Sequence, residues 1–254
     1  SMIEGLRHRL QLLDALKLAE EVQRTLLPAS PPKVAGVALS GTSIYCHEIG
    51  GDYYDYLRLP EGRLGIAVAD VSGHGIDAAL FMTAARAFMI SAAQGFRSPA
   101  GLVADVNLHL TRDSTPTSQF MSLFFLEIDP AEKTLRWVRA GHEPAVVFNP
   151  VTGAFSELGG EGMALGVVEE VDYKEYTQKG WDPGTVIVIG TDGITETRSP
   201  SGEFFGSARL RDVIRDHADQ PVDRIQSAVI EAVQDFRGKS PQEDDVTLVV
   251  VKLM

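Results

Sequence analysis

From residue 37 onward the chain is cut into short apolar or alternating runs separated by brief Gly, Asn or Pro connections, and this punctuation restricts the available folds more than any other feature. The runs cover 37–45, 53–59, 63–71, 119–128, 134–140, 145–148, 173–178, 185–190 and 246–253. Connections such as Pro60-Glu61-Gly62 and residues 149–153 are too short for a helical crossover, so they favour antiparallel hairpins over parallel units. Two pairs of helical periods interrupt the strands, at 76–93 with 100–111 and at 207–217 with 222–236. In the last of these, Val222, Ile225, Val229, Val233 and Phe236 line one face. Strands in this number with two helix pairs predict an α+β fold: an α/β/β/α sandwich of two mainly antiparallel sheets with the helices outside.

The helix at 76–93 is apolar all round. Ala78, Leu80, Phe81, Met82, Phe88, Met89 and Ile90 leave it almost no polar face, so it needs cover on more than one side. Ahead of the strands, Leu6, Leu10, Leu13, Leu16, Ala19, Val22 and Leu26 recur at intervals of three and four, an amphipathic helix over 6–27 about 33 Å long. Pro28, Pro31 and Pro32 stop it. Residues 1–33 therefore read as a linker or regulatory helix and 34–254 as the folded domain. The apolar stripe has two readings of equal weight: packing on its own domain, or pairing with a second copy in a homodimer and relaying a signal from an upstream module. Ser1-Met2 reads as a cloning remnant ahead of a piece of a longer protein.

With 44% hydrophobic residues in 254, a substantial core is available. The net charge of −12 argues against a broad basic surface for nucleic acid or anionic lipid. A phosphate-bearing substrate then requires positive charge from another source. The runs read as shorter than the roughly 18–20 residues of a membrane span, and no secretory leader is visible, so the expectation is a soluble, cytoplasmic chain without a membrane segment. Cys46 is the single cysteine, which excludes an internal disulfide and a Cys-based zinc site, and the six histidines show no H-x-x-x-H spacing.

The chemistry is carried by carboxylates where strands end or turns begin. Asp52 follows Gly50-Gly51, and Asp70 ends an apolar strand and enters the turn Val71-Ser72-Gly73-His74-Gly75 before a helix. Asp192 follows the run 186–190, and Asp244 with Asp245 precedes the last strand. Each alone is ordinary turn chemistry. Gathered in one place, Asp52, Asp70, Asp192 and Asp244 would suppress one another's ionisation, and divalent cations relieve that repulsion. All-oxygen donors point to Mg²⁺ or Mn²⁺, with Asp70 as the natural bridge between two ions. Such a centre can clamp a phosphoryl oxygen and lower the pKa of a water.

Five motifs in order, Gly50-Gly51-Asp52, Ala69-Asp70-Val71-Ser72-Gly73-His74-Gly75, Ala140-Gly141-His142 with Pro144, Thr191-Asp192-Gly193 and Asp244-Asp245-Val246-Thr247, resemble the bacterial SpoIIE/RsbU branch of the metal-dependent type 2C (PPM) serine/threonine phosphatases. The resemblance runs from about residue 34 to 253, and the helix before Pro28 resembles the family's sensor linker. It implies hydrolysis of phosphoserine or phosphothreonine on a regulatory protein, with a phosphorylated STAS-domain anti-anti-sigma protein as the usual substrate and a sensor domain upstream. By the same resemblance two Mn²⁺ or Mg²⁺ ions are held by Asp52, Asp70, the Val71 carbonyl, Asp192 and Asp244, with Asp245 a weaker candidate.

Two departures stand out. Ser72 fills the position where eukaryotic relatives carry a His that serves as general acid, and no counterpart of their early phosphate-binding Arg is visible. His74 and His142 read as turn-fixing residues ahead of any catalytic role. The alternatives are a phosphatase-like interaction module without turnover and a two-metal nuclease or cyclase. The second is disfavoured by the negative charge, and Tyr53-Tyr54 follow the Gly-Gly-Asp turn where diguanylate cyclases continue with Glu-Phe.

Overall fold

The computed structural model describes residues 2–114 and 118–254, so Ser1 of the expected cloning remnant lies outside it. The strands are β1 (Val37–Ile44), β2 (Tyr53–Arg58), β3 (Leu64–Val71), β4 (Met121–Asp129), β5 (Thr134–Ala140), β6 (Ala145–Asn149), β7 (Ala154–Leu158), β8 (Tyr176–Lys179), β9 (Thr185–Gly190) and β10 (Val246–Leu253). They form two five-stranded sheets, β1-β10-β9-β6-β7 and β2-β3-β4-β5-β8, and every pairing between these strands is antiparallel. The helices are α1 (Met2–Leu26), α2 (Ile76–Gln94), α3 (Pro99–Ser114), the single turn α4 (Asp192–Thr195), α5 (Gly206–His217) and α6 (Val222–Arg237).

Alternation along the strands builds three hydrophobic layers. Leu64, Ile66 and Val68 of β3 point between the sheets, where they meet Ile187, Ile189, Val249 and Val251. The opposite face of the same strand, Ala67, Ala69 and Val71, meets Met82, Ala85 and Met89 of α2 and Val106 of α3. On the other sheet Val186, Val188, Leu248 and Val250 face Ile214 of α5 and Ile225 and Val229 of α6. Each fully buried side chain of this size contributes about 1.5–3 kcal/mol, so the expected sandwich is what the alternation stabilises.

Two sequence expectations need correction. β7 was not anticipated: it is an edge strand whose residues 154, 156 and 157 are exposed, so it lacks the apolar alternation that marks a strand. The expectation that no segment reaches spanning length also fails, because α2 is long and apolar enough by length and composition to cross a membrane. Here its inner face is buried on β2 and β3 with α3 alongside, and α1 touches it as well. Ile76 and Leu80 of α2 nevertheless stay 58% and 66% exposed and, with Leu12, Leu16, Ala19 and Val22 of α1, line an apolar groove of about 720 Å³.

Candidate metal centre

Antiparallel pairing decides where the aspartates go. The start of β2 lies beside the end of β3 (Tyr53 opposite Ala69), and the end of β9 beside the start of β10 (Gly190 opposite Leu248). Asp52, Asp70, Asp192, Asp244 and Asp245 therefore arrive from both sheets at one end of the sandwich.

Direct contacts stitch the two sheets there. Thr191 Oγ1 donates to Asp52 Oδ2 at 2.8 Å, and the Thr247 amide donates to Thr191 Oγ1 at 3.1 Å. Asp245 accepts the backbone amides of Cys46 at 2.8 Å and Gly51 at 3.0 Å, and is buried. A side chain at Gly50 would collide with the Asp245 carboxylate and the Tyr45 ring, so the turn that brings Asp52 in tolerates only glycine at that point. Asp245, the weaker ligand candidate of the sequence, thus serves to hold the Gly-Gly-Asp turn. One tie was not anticipated: Gln23 of α1 donates Nε2 to the Gly50 carbonyl at 2.7 Å and accepts the Gly50 amide at 3.1 Å. The signal available for it was a polar residue on an apolar stripe, four residues after Ala19 and three before Leu26.

The electrostatics are those of crowded negative charge. Burial first, then the charges of Asp192, Asp244 and Asp245, push the Asp70 carboxyl up to about 7. Asp52, 1% exposed, is held well above the carboxylate range by burial and then by Asp70 and Asp245, against the opposing Thr247 and Thr191 hydroxyls. Asp192 is raised by burial and Asp244, and Asp244 by burial, with the Asp245 amide and His74 opposing. Among the described residues none of these aspartates forms an ion pair with Lys or Arg. Nor do three or more Asp, Glu, His or Cys side chains among them close into a ready-made coordination cluster. The donor chemistry, converging carboxylates whose charges lack a partner, fits hard divalent cations.

Two clefts flank the turn at Asp192. The first, about 280 Å³, is lined by Asp70, Ser72, Ser122, His142, Glu143 and Asp192. Ser72 accepts the Phe120 amide on Oγ at 3.1 Å. His142 is buried, with Nδ1 3.0 Å from the Glu143 carbonyl, and burial lowers its pKa to about 4, so the ring is neutral and fixes the turn. His74 is exposed and packs on His47 with ring centroids 5.2 Å apart. The second cleft, about 370 Å³, is bordered by Gly193 and Asp244.

A two-sheet antiparallel sandwich with helix layers outside and a carboxylate cluster at one end defines the type 2C phosphatase fold class. The SiaA PP2C domain of Pseudomonas aeruginosa superposes with a TM-score of 0.86 at 25% identity, over 97% of this chain and 99% of that one. RsbX solved in complex with magnesium shares the fold at a TM-score of 0.63 and 14% identity, over 88% of this chain and 98% of that one. The chain belongs to the Stage II sporulation protein E (SpoIIE) family, whose model matches residues 60–254. Phosphoserine phosphatase RsbU of Bacillus subtilis (strain 168) is 28% identical over 95% of this chain, which spans 71% of that protein. Of two further relatives, this chain spans 41% and 57%. The family match begins after Asp52 and the N-terminal helix.

Proposed function

We propose that the domain is a divalent-metal-dependent phosphoprotein phosphatase that removes phosphate from serine or threonine of a regulatory protein. The observation that carries this reading is the convergence of Asp52, Asp70, Asp192 and Asp244 at one end of the sandwich, with no Lys or Arg in ion-pair contact with them among the described residues. RsbU is named a phosphoserine phosphatase and RsbX binds magnesium, which supports the same chemistry here. Asp70, with the Val71 carbonyl, would hold two Mn²⁺ or Mg²⁺ ions together, with Asp52 completing one site and Asp192 with Asp244 the other. When bound, the ions supply a Lewis-acid clamp for the phosphoryl oxygens and an acidified water.

The chain's own residues orient this centre. Thr191 fixes the Asp52 carboxylate, and Asp245 fixes the turn that carries it. Residues 1–33 are read as a regulatory linker to an upstream sensor in a cytoplasmic protein, and α1 as a helix that pairs in a homodimer. The groove it shares with α2 leaves apolar surface for such pairing. A mechanical route leads inward from it: Gln23 grips Gly50, and at the adjoining Gly51 an added Cβ would lie 3.1 Å from the Val71 carbonyl and 3.3 Å from Ala78. Moving α1 would shift the carbonyl assigned to the metal. The proposed substrate is a phosphorylated STAS-domain protein.

The test is release of phosphate from a phosphoserine-bearing STAS protein with Mn²⁺, with and without EDTA. The reading expects loss of activity with chelator and with Asp70→Asn. Activity that survives either one contradicts it, and failure on the phosphoprotein with metal visibly bound favours an interaction module without turnover.

A further inference from the structure

The second cleft carries chemistry that the phosphate-removing centre does not use. It opens beside Asp244 and Gly193, one residue along the turn from Asp192. Arg198 and Arg237 enter it from separate parts of the chain, Arg198 from the loop after α4 and Arg237 from the last turn of α6. In a chain of net charge −12 with an acidic centre, two guanidiniums beside that centre are the local positive charge a phosphoprotein would meet.

Their hydrogen-bonding capacity is largely unspent. The Arg198 guanidinium lies over the Phe204 ring, 4.2 Å from its centroid, which holds its plane in place. Its Nη1 donates to the Gly202 carbonyl at 3.3 Å, and the Glu243 carboxylate is 3.6 Å from Nε with the two side chains about half and two-thirds exposed, a weak pair. Arg237 gives Nη1 to the neutral amide of Gln242 at 3.0 Å, and its Nε is buried without a partner. A guanidinium has five donors in a planar fork that matches a carboxylate, so both side chains retain donors for an outside anion. Glu196, Glu243 and Asp244 also line the cleft, so the guanidinium forks and not the net charge of the lining would draw an anion, and a single carboxylate meets less repulsion there than a doubly charged phosphate.

Building on the phosphatase reading, we propose that this cleft is a docking subsite for the polypeptide flanking the phosphoserine, in which Arg198 and Arg237 hold an Asp or Glu side chain of the substrate. The pair then determines specificity and positions the substrate while the carboxylate centre does the chemistry.

The probes are a fluorescein-labelled phosphoserine peptide with glutamates on both sides of the phosphoserine and its counterpart with glutamines. Each is assayed with Mn²⁺ for phosphate release and, independently of turnover, for binding by fluorescence anisotropy. The wild type is expected to prefer the glutamate peptide by about tenfold in both kcat/KM and Kd, mainly through KM, with the preference shrinking as salt is raised. Arg198→Gln with Arg237→Gln brings the two peptides within about twofold of each other, and Arg198→Lys with Arg237→Lys retains part of the preference. The single variants show intermediate ratios if the double variant does not fold. A wild type without preference, or a double variant that keeps it, overturns the proposal. Peptides bound with preference but never hydrolysed would overturn the phosphatase reading and leave the subsite standing; hydrolysis without preference would do the reverse.

Discussion

Strands β3 and β4 bury acidic side chains near both ends, and the two ends solve the problem differently. Near the start of β3, Glu127 lies opposite Gly65 and is 1% exposed, yet its Oε1 accepts Arg63 Nη1 at 3.0 Å and Arg136 Nη2 at 2.7 Å. About 17 Å along the strand, Asp70 lies opposite Ser122 among Asp52, Asp192 and Asp244 with no guanidinium or ammonium in ion-pair contact among the described residues. A fold that neutralises one buried carboxylate with two arginines leaves the other cluster bare. On the proposed reading, the charge at the Asp70 end is balanced by cations from outside the chain.

Neutralising the bare end separates function from stability. Asp70→Asn is expected to lower phosphatase activity by about a hundredfold or more while raising the melting temperature of the metal-free protein at pH 7.5. Asp70 has a folded pKa near 7 against the ordinary 3.8, so between these values the native state binds more protons than the unfolded one. Its contribution is fully present below about 3.8 and is lost as pH rises through about 7, so the gap between variant and wild type closes towards pH 4. Melting curves of both proteins in EDTA across that range check this, and a variant no more stable than wild type at pH 7.5 would show that the Asp70 charge carries no such cost.

His142 supplies the opposite slope. Its pKa is depressed to about 4 from 6.5, so the unfolded state binds the extra proton as pH falls from about 6.5 and stability drops by about 3 kcal/mol on reaching pH 4. With the Asp70 contribution removed, metal-free Asp70→Asn should lose stability on acidification more steeply than the wild type. Parallel curves would contradict the assignment.

At the paired end the expectation reverses. Glu127→Gln removes the anion shared by Arg63 and Arg136 and should cost about 2–3 kcal/mol in urea unfolding, with Mn²⁺ affinity within about twofold of wild type. The smallest effect belongs to Gln23→Ala, which deletes both bonds to Gly50. It should cost about 1–2 kcal/mol in stability and weaken Mn²⁺ binding a few-fold by calorimetry, because the turn beside the Val71 carbonyl loosens. Unchanged metal affinity would sever α1 from the centre.

Most of the architecture was legible because burial follows period. β5, β9 and β10 fall at the bounds their alternating or apolar runs predict, and the helix pairs lie within a few residues of expectation. β8 begins at Tyr176, three residues late, because Val171 and Tyr173 pack against the α2–α3 layer instead of pairing. The aspartates were visible from their place at strand ends, where antiparallel pairing turns sequence position into proximity. The Gln23 clamp and the cleft of Arg198 and Arg237 were not, since each joins distant segments through side chains without local periodicity.

A crystal soaked in MnCl₂ and measured at the manganese edge shows whether these carboxylates bind metal. Anomalous density is expected for two ions among Asp52, Asp70, the Val71 carbonyl, Asp192 and Asp244, with Glu127 bare. Density absent from that end of the sandwich, or bound elsewhere with those carboxylates uncoordinated, would contradict the proposed metal centre.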